Sequence, residues 1–163
     1  MPFIVRDPAK IAPGSVCDSM ACNVDFAPTF LELAGLPVPN YMQGRSITPL
    51  LEGRVPADWT DLAYHRYWMN QDSVHNAYAH YGIRTHDYKL IYWYNDDCGE
   101  EGANPGTDEP EWELFDLRSD PLELRNVYDD PAYAEVVKTM TRKLEAEMLR
   151  IGDVPVHEVG RFK

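Results

Sequence analysis

Basic residues are scarce in this chain: 15 Lys and Arg stand against 27 Asp and Glu, giving a formal net charge of −12 over 163 residues. Binding along a phosphate backbone needs a basic stripe, and none is present, which argues against nucleic acid as a partner. No apolar run approaches the roughly 20 residues of a membrane span. No charged-then-apolar leader pattern occurs either, although in a piece of a longer protein that fixes no compartment. Cysteine is limited to Cys17, Cys22 and Cys98. None has zinc-finger spacing, and the odd count leaves at least one thiol unbridged. A Cys17–Cys22 bridge in an exporting host and three small packing residues are both open readings. Much of the acidity (Glu100, Glu101, Asp108, Glu109, Glu111) falls in one segment and reads as a solvated loop.

Length and an ordinary globular composition allow a core of useful size. Residues 2–6, Pro-Phe-Ile-Val-Arg, read as a short apolar strand closed by Asp7-Pro8, with no evident partner in the chain. Burying its three apolar side chains would be worth roughly 1.5–3 kcal/mol each, so the expectation is a chain cut from something longer. Asp25 to Gly35 predicts a short buried helix: Asp25 as N-cap, Pro28 in the first turn, and Phe26, Phe30, Leu33 and Ala34 on one face. Ile47 to Leu51 predicts one or two helical turns stopped by Gly53. Leu62 to Trp68 is aromatic and predicts a strand. A hairpin over residues 79–94 turns at Thr85-His86-Asp87, and residues 95–111 form a long insertion projecting into solvent or toward a ligand. A further strand ends at the capped turn Asp120-Pro121. The last element is an amphipathic helix, with Asp129 or Asp130 as cap and Pro131 in its first turn. Tyr133, Val136, Val137, Met140, Leu144, Met148 and Ile151 form its stripe, and Gly152 is its stop. The tail after Asp153 is weakly patterned and expected to fray.

Three ordered segments carry a family pattern. Gly82-Ile83-Arg84-Thr85-His86-Asp87-Tyr88-Lys89-Leu90-Ile91 is followed by Glu113-Leu114-Phe115-Asp116-Leu117, then Asp120-Pro121, Glu123 and Asn126. Upstream stand Asp25, Pro28-Thr29-Phe30-Leu31, Leu33-Ala34-Gly35, and then Gly44, Ser46-Ile47, Pro49-Leu50-Leu51 and Gly53. In order and spacing these resemble the C-terminal portion of the formylglycine-dependent sulfatases, of the alkaline-phosphatase-like superfamily, over about residues 2–150. The resemblance implies an α/β fold: the end of the large α/β domain over residues 1–60, then an antiparallel sheet packed on a long amphipathic helix over 61–152, with 153–163 as a tail. It also implies a sulfuric ester hydrolase.

Hydrolysis of a sulfate ester needs a nucleophile, a cationic clamp and an acid for the leaving oxygen. The resemblance assigns these to a formylglycine made from the Cys of a C-x-P-S-R motif, a calcium ion, and several Lys, His and Arg residues. None of the three cysteines lies in such a motif. Asp96-Asp97 fits a solvated loop better than a metal pair. The expectation is therefore that calcium and formylglycine belong to the full-length enzyme, that no catalytic or metal-binding position lies in this chain, and that the chain is inactive alone. Its partners would be a sulfated sugar or other sulfate ester and the missing N-terminal half. Sulfatases of this type are often exported, to periplasm or medium, but the leader would lie outside these residues.

Substrate contact is what remains, with Arg66, Trp68, His75, His80 and Arg84 as candidates. Strand alternation places His65 and Tyr67 on one face and Arg66 and Trp68 on the other. His75 and His80 can both point into a mouth lined by Trp68, and imidazoles with an indole suit a sugar. Against this, Arg84 can simply pair with a sheet-edge acid, and His80 can be a hydrogen-bonded core residue. The stretch from Tyr64 to Thr85 is similar to sulfatases acting on sulfated glycans, including those removing 6-sulfate from glucosamine. Two other readings stay open: a stand-alone glycan-binding or interaction module descended from such a tail, and part of a related phosphoesterase.

Overall fold

The computed structural model describes residues 3–106 and 108–162. They form two compact units, one ending at Asp61 and the other beginning at Leu62.

The first unit is irregular apart from two short helices, α1 (Phe26–Leu33) and α2 (Thr48–Leu51). A single 3-10 turn, Asn23–Asp25, precedes α1. Asp25 holds the N-cap position of α1 as expected, but its side chain makes no capping bond to that helix. Asp25 sits inside the helical path, and its carboxylate reaches back to the Cys22 N–H at 2.8 Å and across to the Arg45 N–H at 2.9 Å. The expected inward face is corrected too: Pro28 and Thr29 are the buried residues of α1, whereas Phe30 is 67% exposed. Thr29 fixes this orientation. Its hydroxyl donates to the Asp25 carbonyl at 2.6 Å and accepts the Ile47 N–H at 3.0 Å. Gly53 closes α2 in the left-handed region, as expected. The strand expected near the start is not formed over its described residues. No second strand lies in this unit among the described residues to pair with it, and Phe3 instead stacks on Phe26 with centroids 5.2 Å apart.

The second unit is a four-stranded antiparallel sheet in sequence order, β1 (Ala63–Tyr67), β2 (His80–Arg84), β3 (Tyr88–Trp93) and β4 (Glu111–Asp116), covered by α3 (Ala134–Ile151). Alternation sorts its side chains into two sets. Register aligns Tyr64, Ile83, Leu90 and Leu114 in one row, and Arg66, Tyr81, Tyr92 and Trp112 in the next. These meet Val137, Met140, Leu144 and Met148 of α3 and make the main core. Asp130 caps the helical entry, accepting from the Ala132 N–H at 3.0 Å, and Gly152 ends α3 with φ of 74°. The open edge of β4 is closed by Asn126. Its side-chain oxygen takes the Leu114 N–H and its amide donates to the Trp112 carbonyl, both at 3.0 Å, so a side chain stands in for a neighbouring strand.

Two loops differ from expectation. The segment after β3 has no regular structure, but it is tied down rather than projecting. Asn70, fully buried, donates to the Asn104 carbonyl at 2.9 Å and accepts the Ala79 N–H at 3.0 Å, and Asn95 donates to the Glu109 carbonyl at 2.9 Å. Over its described residues the tail after α3 is packed, not free as expected. It turns back so that His157 lies buried against Tyr81, with Arg142 bonded to the Phe162 carbonyl at 2.8 Å.

Candidate functional site

The face of the sheet away from α3 carries the chemically loaded residues. One row aligns Tyr67, His80, Trp93 and Glu111, and the next aligns His65, Gly82, Ile91 and Glu113. Gly82 makes room for His65: a Cβ added there would lie 2.9 Å from the His65 ring and 2.3 Å from the Leu90 carbonyl oxygen. His80 is the hub of the cluster. Its ring lies 4.3 Å from Trp93, 5.5 Å from His65 and 5.9 Å from Tyr67, stacked on the last. Tyr67 in turn meets His75 edge-on at 6.0 Å.

Hydrogen bonds fix the orientation of each ring. His80 Nδ1 lies 2.8 Å from the Tyr78 carbonyl, which can only accept. The ring proton is therefore on Nδ1, and Nε2 presents a lone pair. Trp93 donates its indole N–H to Glu113 at 2.6 Å. Asp72 accepts the Tyr67 hydroxyl, the backbone N–H groups of Val74 and His75, and His75 Nδ1 at 3.3 Å. These bonds hold the Asp72 carboxyl well below the usual carboxylate range and push the Tyr67 hydroxyl up to about 12. Burial, then the neighbouring His80 and Lys89, brings His65 down to about 4, and burial also lowers His80. At neutral pH His65 and His80 therefore present uncharged imidazoles, with aromatic faces, beside carboxylates.

The expected site residues are only partly brought together. His75 and His80 converge, but around Tyr67 and not around Trp68. Trp68, half exposed, lies with Arg66, whose guanidinium is 5.8 Å from its ring. Arg66 projects into the α3 side of the sheet with its side chain 8% exposed, paired to Asp153 at 2.5 Å and packed over Tyr81 and Tyr94. Arg84 pairs with Glu123 at 3.1 Å, and Lys89 shares the same carboxylate at 2.5 Å. Each arginine thus already has a carboxylate partner where it stands. Sequence reasoning does not mark His65, Asp72, Trp93 or Glu113 as site residues. For His65 the signal is its strand parity with Tyr67, whereas His80 and Trp93 reach that face only through the pairing register.

The acidic loop offers no metal cage. Asp96 and Asp97 each accept a backbone N–H two residues on, at 3.1 Å. Among the described residues no group of three or more His, Cys, Asp or Glu is placed to hold a metal ion. None of the three cysteines is in a disulfide. Among the described residues no helix is long and apolar enough to cross a membrane.

Residues 1–150 match the family described as N-sulphoglucosamine sulphohydrolase, C-terminal. The chain is similar to an N-acetylglucosamine-6-O-sulfatase of Bacteroides thetaiotaomicron, 42% identical over 147 residues covering 89% of this chain and 24% of that protein. It is also similar to an ulvan-active sulfatase of Formosa agariphila, 29% identical and covering 94% of this chain and 34% of that protein. Among solved structures it superposes with TM-score 0.80 and 38% identity on a protein in complex with its substrate D-glucosamine-2-N,6-O-disulfate, covering 91% of this chain and 28% of the other. A phosphonate monoester hydrolase from Silicibacter pomeroyi superposes with TM-score 0.69 and 25% identity, over 89% and 28%. The chain therefore spans about a quarter to a third of the length of these relatives.

Proposed function

The chain belongs to the N-sulphoglucosamine sulphohydrolase C-terminal family of the sulfatases, and from that premise we propose that it is the C-terminal part of an enzyme hydrolysing sulfate esters on a sulfated glycan. Residues 1–60 serve as the closing piece of the large α/β domain, 61–152 as the sheet-and-helix subdomain, and 153–163 as its tail. The family match over residues 1–150 carries this reading, and the 42% identity to an N-acetylglucosamine-6-O-sulfatase supports a glucosamine-containing glycan.

Within that enzyme the chain's role is to hold sugar rather than to break the ester. Formylglycine would supply the nucleophile and calcium the clamp on the sulfate oxygens. None of the three cysteines lies in the motif from which formylglycine is made, and no step of hydrolysis is assigned to this chain. His80 Nε2 offers an acceptor for a sugar hydroxyl, and the exposed His75 ring adds a second polar edge beside Tyr67. The partly exposed Trp68, which lies with Arg66 rather than with these rings, offers a separate apolar face. Arg66 and Arg84 are weaker contacts, because each already has a carboxylate partner.

The test is enzymatic. The purified chain should release no product from an aryl sulfate with or without calcium. A longer protein carrying an upstream formylglycine motif should turn over, and should lose substrate affinity on His80→Ala. Turnover by this chain alone would refute the placement of the chemistry. A second reading, a related phosphoesterase, is favoured by the likeness to the phosphonate monoester hydrolase. Preference of the longer protein for a phosphonate monoester over a sulfate ester would establish it. A stand-alone glycan-binding module would instead bind sugar tightly with no enzyme attached.

A further inference from the structure

Every side-chain hydrogen-bond donor of the Tyr67–His80–Trp93 row is already used inside the protein. The Tyr67 hydroxyl donates to Asp72, the Trp93 indole N–H to Glu113 at 2.6 Å, and His80 Nδ1 to the Tyr78 carbonyl at 2.8 Å. His75, whose side chain is 67% exposed beside Tyr67, follows the same rule. Its Nδ1 lies 3.3 Å from Asp72 Oδ2, and an ionised carboxylate can only accept. In neutral His75 the proton is therefore on Nδ1, and Nε2 is a lone pair, as in His80. Among the described residues neither Nε2 has a protein partner, and neither is closed off from solvent. Asp72 imposes this arrangement. It is 7% exposed; Oδ1 takes the backbone N–H groups of Val74 at 2.8 Å and His75 at 3.0 Å, and Oδ2 takes Tyr67 and His75 Nδ1.

What the row turns outward is thus acceptors: two imidazole lone pairs beside the carboxylates of Glu111 and Glu113. The strand cations on the same sheet face, Arg84 and Lys89, share Glu123. A sulfate or carboxylate group brings only acceptors and negative charge, so the row has nothing to bond it with and its carboxylates repel it. A hydroxyl group donates, and it matches either lone pair. We propose that this row admits the part of the glycan that carries free hydroxyls and rejects a sulfated position, with Asp72 as the positioning residue that keeps His75 an acceptor. This rests on the sugar-holding role proposed above for the row and adds which substituents that role accepts.

The test takes two readouts from the whole chain at about pH 8, above the ordinary histidine range. Long-range ¹H–¹⁵N spectra report which ring nitrogen carries the proton, and His75 and His80 are both expected as the Nδ1–H tautomer. Titration with N-acetylglucosamine should shift both rings saturably, whereas sodium sulfate at matched ionic strength should shift neither. Asp72→Asn keeps an oxygen for the Val74 and His75 N–H groups and turns its amide N–H toward His75 Nδ1. That ring should then change to the Nε2–H tautomer, and sugar affinity should fall about five-fold, the effect of one neutral hydrogen bond. The wild-type tautomers need no variant, so a poorly folding Asp72→Asn protein leaves the test intact. Wild-type His75 in the Nε2–H form, or saturable sulfate shifts at His75 and His80, would overturn the proposal. The expected tautomers with no sugar shift would instead remove the sugar-holding role of the row, and the selectivity would fall with it.

Discussion

Acid should destabilise this protein well above the range where carboxylates titrate, and His65 is the reason. Wedged over Gly82 and beside His80, its imidazole has a pKa near 4 in the folded chain against 6.5 when unperturbed. Between those values the unfolded chain binds a proton that the folded one refuses, so stability is full above about pH 7, falls as pH drops through 6.5, and levels off below 4. That depression corresponds to roughly 3 kcal/mol in all, of which about 2 kcal/mol is lost by pH 5. Against a typical total of about 5–15 kcal/mol that is a large loss. Burial also lowers His80 and His157, and both add to it with the same sign. The assay is urea unfolding followed by tryptophan fluorescence at about pH 7.5 and about pH 5, for the wild type and His65→Gln. The wild type should lose about 2 kcal/mol more than the variant over that interval. Equal losses, or an NMR titration of His65 near its ordinary value, would refute the reasoning.

Other outcomes follow from the same structure. Met140, 2% exposed under the sheet, tolerates no charge: Met140→Asp should cost about 3–5 kcal/mol and abolish the cooperative unfolding transition of the second unit in a thermal melt. Gly82→Ala places a methyl 2.3 Å from the Leu90 carbonyl oxygen. It should cost about 2–3 kcal/mol or more by denaturant unfolding, because backbone and not a mobile side chain must give way. Asn70→Ala leaves the Ala79 N–H and Asn104 carbonyl without their side-chain partner. It should cost about 1–3 kcal/mol and speed proteolytic cutting within residues 95–110. Arg118→Met removes the two-pronged partner of Asp116, whose carboxyl lies near pKa 2. Its stabilisation is present above the ordinary carboxylate range and lost as pH falls through 2, so the variant should unfold at a higher pH in an acid titration.

Patterns that depend on neighbours in sequence were readable without coordinates. Alternation from Tyr64 to Trp68, the turn at Thr85, the Asp130 cap with Pro131, and the stripe through Met140, Leu144 and Met148 all report period and local hydrogen bonding. Each appears where expected. The first unit was less legible. Phe26, Phe30 and Leu33 have helical spacing, but spacing does not say which side is covered, and Thr29 turns that stripe outward. The strand expected at residues 2–6 fails over its described part for the same kind of reason: a strand is defined by a partner, and none of the described residues of its unit supplies one.

The candidate site shows where that boundary runs. Residue order alone placed His65 and Tyr67 on one face of their strand, because side chains alternate with a period of two; that His80 and Trp93 join them was decided by strand register. Residue order also carried the family pattern, which is a matter of identity and spacing. Only tertiary structure decided that Arg66 is spent on Asp153, that Arg84 shares Glu123 with Lys89, that Asn70 ties down the acidic loop, and that His157 folds back onto Tyr81. Those pairings join residues far apart in the chain, and local sequence carries no information about contacts that exist only once the backbone has brought the partners together.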